Sequence, residues 1–165
     1  MNYPKTRLRR LRYNRNIRNM FEDITVNKSD LIQPIFLVEG KNIKKEIKSL
    51  TGQFQLSIDN AIDFCKSLMN EGVNSIILFG VSSKKDDTGE ISCSSQSIVP
   101  KAIKEIKNKF GDQLLVIADV CNCSYTNHGH CGTIVENDVD NDLTLETLSK
   151  QSLTLAKAGA DVLAP

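Results

Sequence analysis

Short apolar runs alternate with stretches of helical periodicity along most of this 165-residue chain. Leu31-Ile-Gln-Pro-Ile-Phe-Leu-Val38 is almost continuously apolar and predicts a buried strand, although Pro34 is a poor residue for the middle of a sheet. Lys41 to Ser49 is charged and reads as a connector. Ser57 stands as an N-cap before Ile58, Ala61, Ile62, Cys65, Leu68 and Met69, a stripe that predicts a helix ended by Gly72, with Cys65 in the core. Ser75 to Gly80 predicts a second buried strand, and the polar stretch from Ser82 to Ser97 a long loop in which Cys93 has no partner at metal-ligand spacing. A helix over Val99 to Phe110 and a strand over Leu114 to Val120 follow. After a loop rich in Gly and His, the pattern predicts a helix from about Thr144 to Ala158, closed by Gly159, and a fourth strand beginning at Asp161.

The order β-α-β-α-β-α-β with non-alternating strands predicts a parallel α/β sheet with right-handed crossovers. Doubly wound sheets and (β/α)8 TIM barrels share this pattern, but no Gly-rich dinucleotide fingerprint follows the first strand, which disfavours the former. Four strands are half a barrel, and Pro165 falls inside an expected strand. The expectation is therefore the first half of a barrel over residues 31–165, preceded by an extended N-terminal arm over residues 1–30.

A formal net charge of +1 gives no global argument for nucleic acid or membrane, and no apolar run has bilayer length. The exception is local: Arg7, Arg9, Arg10, Arg12, Arg15 and Arg18 crowd the arm, interleaved with Leu8, Leu11 and Met20. Such a stretch is either mobile or docked, on a sister subunit before any nucleic acid, because it carries no recognition fold. It is free of acids, as transit peptides are, and lacks the apolar core of a secretory signal. The expected compartment is the cytoplasm, where the five cysteines stay reduced rather than form a disulfide framework.

Three of those cysteines, Cys121, Cys123 and Cys131, fall within eleven positions at the C-terminal end of the third predicted strand, where α/β enzymes bind ligands. Alternation along extended chain points Cys121 and Cys123 to one side, and a loop containing Gly129 and Gly132 can return Cys131 to the same point. Thiolates are soft ligands whose usual partner in a reduced compartment is zinc. Three sulfurs leave a tetrahedral position open for water or substrate, as in catalytic sites. His128 or His130 closing the position would instead make a structural one, and the spacing alone leaves both open. His130, adjacent to Cys131, is better placed to support the ligands or handle a proton than to bind the same ion. Asp119 shares the cysteines' side of the strand and is either a proton-handling carboxylate or a cap of the following loop.

Asp119-x-Cys121-x-Cys123-x-Tyr125-Thr126-x-His128-Gly129-His130-Cys131-Gly132 resembles the zinc-site signature of the 5-aminolevulinate dehydratase family. Val139 to Glu146, Gln151 and Ala158 to Pro165 are similar to the segment that follows it there. Arg9 to Arg12, Ile17 to Phe21, Leu31 to Phe36, Phe79-Gly80 and the Lys-Asp stretch ending at Gly89 match as well. The chain departs from the family over Leu50 to Gln55, where Met-Pro-Gly-x-x-Arg is frequent, and at Glu90, where Ser is usual. The resemblance implies a homo-octameric barrel that condenses two molecules of 5-aminolevulinate into porphobilinogen, with zinc on the three cysteines, Asp119 beside it, and Mg2+ as an allosteric ion in the complete enzyme. It also implies two lysines on later strands, one a Schiff-base former, that nothing in this chain matches. These residues alone are therefore expected to be catalytically incomplete. The alternative is a zinc-stabilised α/β binding or interaction module without activity.

Overall fold

The computed structural model describes residues 2–165. After a short 3-10 turn at Arg10–Arg12, the chain forms α1 (Arg15–Met20) and then a six-stranded sheet built from β1 (Gln33–Val38), β2 (Lys44–Glu46), β3 (Phe54–Leu56), β4 (Ser75–Val81), β5 (Leu115–Asp119) and β8 (Val162–Ala164). The helices α2 (Ile58–Asn70), α3 (Ile98–Phe110) and α4 (Asn141–Ala158) connect its strands, and a hairpin of β6 (Ile134–Val135) and β7 (Asp138–Val139) precedes α4.

The sheet order is β2-β3-β1-β4-β5-β8, and β1, β4, β5 and β8 are mutually parallel. The crossovers through α2, α3 and α4 all move in the same direction along the sheet, from β3 across β1 to β4, then to β5 and to β8, so right-handed connections place these three helices on one face. The core shows this arrangement. Ile35, Leu37, Ile76, Leu78, Val116 and Ala118 share one pleat and form one cluster with Ala61 and Cys65 of α2, Ala102, Ile103 and Ile106 of α3, and Leu155 and Ala158 of α4. Burying each of the larger aliphatic side chains contributes about 1.5–3 kcal/mol. α2, α3 and α4 thus all pack on this face; on the opposite pleat Phe36 and Phe79 stack with ring centroids 5.3 Å apart. A doubly wound sheet reverses its strand order and carries helices on both faces. One-sided helices and helical crossovers that all move the same way along the sheet are the arrangement of a (β/α)8 barrel, of which this is a part.

Periodicity located the four parallel strands and three long helices to within a few residues. Pro34 is accommodated because β1 has β4 on one side there, while β3 reaches only Phe36 and Leu37 on the other. Two expectations are corrected. The charged connector contains β2, which pairs antiparallel with β3, and β3 in turn extends the sheet parallel to β1. All of β2 is exposed, so no apolar alternation marks it; Lys44 and Lys45 on this outer edge discourage pairing with another chain. Ser57 occupies the N-cap position of α2, but its hydroxyl accepts from the Ile43 N–H at 2.8 Å rather than from the helix. Gly72, at φ +83°, does end that helix, and the Val73 N–H returns to the Leu68 carbonyl.

The start of β8 is tied down by Asp161, which accepts from the Val116 N–H at 2.8 Å and from the Lys107 ammonium at 2.9 Å. Burial alone would raise this carboxyl, but the Val116 N–H and Lys107 outweigh it and hold it below the usual range. A depressed carboxyl stabilises the fold fully above its unfolded pKa and ceases to do so as pH falls through the folded value. Asp161→Asn should therefore cost about 1 kcal/mol at neutral pH, discounted for the partial exposure of the pair. Urea melts should show that difference shrinking below about pH 4; a cost unchanged at acid pH would refute the assignment.

Candidate metal centre

The site is built where β5 runs out. The ladder continues one residue past the strand, with the Val120 N–H on the Ala164 carbonyl, and extended backbone then separates the next side chains by face. Asn122 turns into the protein and is fully buried, while Cys121 and Cys123 turn out together with their sulfurs 3.3 Å apart. The chain bends at once, with the Tyr125 and Thr126 N–H groups both on the Asn122 carbonyl. The return is fixed by the Thr126 hydroxyl on the His130 carbonyl (2.9 Å) and by Gly129 at φ +74°. Cys131 arrives 3.4 Å from Cys121, sulfur to sulfur. Gly132 then lets the loop pass close to α4 and β7; a side chain there would meet Thr144 and Val139. The β6–β7 hairpin turns on Glu136 and Asn137, both with positive φ, and Asp140 caps α4 through the Leu143 N–H, so that helix begins earlier than its periodicity indicated.

The three sulfurs lie within 4.8 Å of one another and form a group that can hold a metal ion. Tetrahedral thiolates on bonds of about 2.3 Å sit roughly 3.8 Å apart, so small adjustments suffice. Burial, reinforced by the adjacent thiols, pushes Cys121 up to about 12; three thiolates this close need a cation to exist together, and a bound metal reverses that preference. Neither histidine joins the group. His128 has both ring nitrogens engaged: Nδ1 accepts from the His130 N–H at 3.1 Å and Nε2 lies 3.0 Å from the Asp87 carbonyl. The His130 ring is exposed beside it, with centroids 5.5 Å apart. Asp119 lies on the pleat opposite the helices, two residues before Cys121, and its half-burial raises its carboxyl above the ordinary range.

The polar composition of Ser82 to Ser97 predicts a long loop without assigning it a place beside the cysteines. In the structure it is the second wall of the cysteine loop. Asp86 and Thr126 form a β-bridge, with the Asp86 N–H on the Tyr125 carbonyl and the Asn127 N–H on the Asp86 carbonyl. Asn127 donates to the Asp87 carboxylate at 2.8 Å. The Asp86 carboxylate accepts the N–H groups of Thr88, Gly89, Glu90 and Ile91, which outweigh the effect of its burial and keep its pKa low. The Asp86-Asp-Thr-Gly89 pattern is a turn signal that carried part of this; the partner across the gap was not legible. Cys65 is core, as expected, with its thiol pushed up to about 12 by burial. Cys93 is half-buried against the Thr147 carbonyl.

A single layer of helices on a parallel sheet, with a three-cysteine cluster at the C-terminal ends of the strands, defines part of a (β/α)8 barrel able to hold a metal. The chain belongs to the delta-aminolevulinic acid dehydratase family, whose model matches residues 5–165. It is 44% identical over 165 residues to the delta-aminolevulinic acid dehydratase of Methanothermus sociabilis, covering 100% of this chain and 51% of the relative. To that of Helicobacter pylori it is 45% identical over 160 residues, covering 96% and 49%. Among solved structures it is similar to the delta-aminolevulinic acid dehydratase (porphobilinogen synthase) of Toxoplasma gondii in complex with the reaction product porphobilinogen. The TM-score is 0.89 at 33% identity, over 96% of this chain and 46% of that one. The chain thus spans about half the length of these relatives.

Proposed function

We propose that these residues form the zinc-binding half of a porphobilinogen synthase active site, which condenses two molecules of 5-aminolevulinate into porphobilinogen with release of two waters. The observation that carries the reading is the convergence of Cys121, Cys123 and Cys131 at the end of β5 in a chain of this family. Zinc held by Cys121, Cys123 and Cys131 would supply a Lewis acid for a carbonyl or amine of the substrate. Asp119, on the same side, orients the substrate's amino group or takes its proton. His130, exposed at the rim beside Cys131, hands protons between site and solvent.

The nucleophilic half of such a reaction needs a lysine whose amine is neutral, which desolvation achieves. Among the described residues every lysine is exposed except Lys107, which is bound to Asp161. We therefore expect the purified 165-residue chain to bind one zinc and to form no porphobilinogen by itself. Turnover by that chain would overturn the division of labour, and failure of the reduced chain to bind zinc would overturn the metal assignment.

The reading also separates residues 1–30 as an arm from the barrel residues 31–165, and assigns the arm to contacts in a homo-octamer of the cytoplasm. Leu8, Leu11, Tyr13, Met20, Phe21, Ile24 and Val26 are all exposed on it, more apolar surface than a solvated tail presents. No helix among the described residues is long and apolar enough to cross a membrane.

A further inference from the structure

Beneath the cysteine pair lies a buried polar group that the proposed reaction does not use. Gln151, in the middle of α4 and only 2% exposed, donates its amide to the Cys121 carbonyl at 3.2 Å. Only the NH2 end of an amide can face a carbonyl, so the orientation is fixed. Its oxygen is left without a partner among the described residues. Asn122, next along, is fully buried, accepts from the Ser92 hydroxyl at 3.4 Å and packs against Gly89. The tripeptide Cys121-Asn122-Cys123 is thus gripped from below by α4 and by the 82–97 loop while both thiols face away.

We propose that Gln151 is a positioning residue for the metal ligands, holding the Cys121–Asn122 peptide so that the two thiols converge. A peptide is planar, so fixing the Cys121 carbonyl fixes the plane from which both the Cys121 side chain and the path to Cys123 depart. Fold stability does not by itself account for the residue. A buried amide with one unmet atom is less favourable than an apolar side chain of equal volume, and the one side-chain hydrogen bond that Gln151 makes among the described residues is to the ligand-bearing peptide.

The inference rests on the reading of the triad as a zinc site, and the test separates the two. Zinc affinity of the reduced full chain is measured by competition with a chromophoric chelator, cobalt(II) substitution reports ligand geometry through its absorption bands, and melting of the metal-free chain reports the fold. Gln151→Met should bind zinc roughly 10–100-fold more weakly and shift the cobalt bands, while the metal-free midpoint moves by no more than about 4 °C. Gln151→Asn, an amide one methylene too short to reach, should do the same and decides the matter if the Met variant does not fold. Thr154→Val is the control. It removes the 2.8 Å bond from the Thr154 hydroxyl to the Cys93 carbonyl, one turn along α4, and should retain wild-type affinity. Wild-type affinity and cobalt spectrum in the Gln151 variants would overturn the positioning role alone. Loss of affinity in all three variants in proportion to lost stability would make Gln151 merely structural and overturn it as well. A wild-type chain that binds no zinc would overturn the metal reading, and this inference with it.

Discussion

Cys131→Ala should lower zinc affinity by two to three orders of magnitude, while His128→Ala should leave it within a few-fold of wild type. Zinc binding by sites of four protein ligands amounts to about 10–16 kcal/mol, or roughly 2.5–4 kcal/mol for each, and 1.4 kcal/mol is a factor of ten. Cys131 is the one thiol of the group delivered by the return of the loop, 3.4 Å from Cys121, and no other His, Cys, Asp or Glu among the described residues joins the group to replace it. His128 is turned the other way, toward the Asp87 carbonyl. The pair of variants discriminates between the open three-sulfur site and a closed site of three cysteines and a histidine. Chelator competition gives the affinity, and cobalt substitution shows whether the thiolate charge-transfer band drops by a third. A loss of two to three orders of magnitude in both variants would show the closed site of three cysteines and a histidine and overturn the open one.

Gly80→Ala should destabilise the chain by about 2 kcal/mol and weaken the metal site at the same time. The backbone of Gly80 is extended, so conformational freedom is not what requires glycine; space is. A methyl group there would lie 2.9 Å from Val99 Cγ2 and closer still to the Tyr125 hydroxyl. Overpacking of this kind costs about 1–3 kcal/mol, and the 2 kcal/mol expected here corresponds to roughly 4–8 °C in melting temperature for a domain of this size. Tyr125 is buried two residues after Cys123, so displacing its ring moves the loop that carries the ligands. Tyr125→Phe removes the atom that meets the methyl group, and the double variant should recover about half of the lost stability. Additive effects in that double-mutant cycle would show that Gly80 and Tyr125 are not coupled.

What the residues determined by themselves is local. Continuous apolar runs marked β1, β4 and β5 because buried parallel strands have apolar neighbours on both faces, and helical stripes marked α2 and α3 because each buries one side. The spacing of Cys121 and Cys123 fixed their common direction, since extended backbone alternates. Cys131 was legible as a possible third ligand, because a loop containing Gly129 and Gly132 can return it to the same point, but spacing alone did not require that return. Tertiary structure alone decided the rest. β2 is a strand because Phe54–Leu56 lies beside it, and no property of Lys44-Lys-Glu46 says so. The one-sided placement of the helices follows from the order in which strands pair, a relation among residues tens of positions apart. The same holds for Asp86 against Thr126, Tyr125 against Gly80 and Gln151 against Cys121. Periodicity records how a residue meets its own backbone and solvent, whereas these pairs exist only once the crossovers have closed. Three thiols in a sequence became a group able to hold a metal ion through contacts between parts of the chain far apart in sequence as well as within the loop itself.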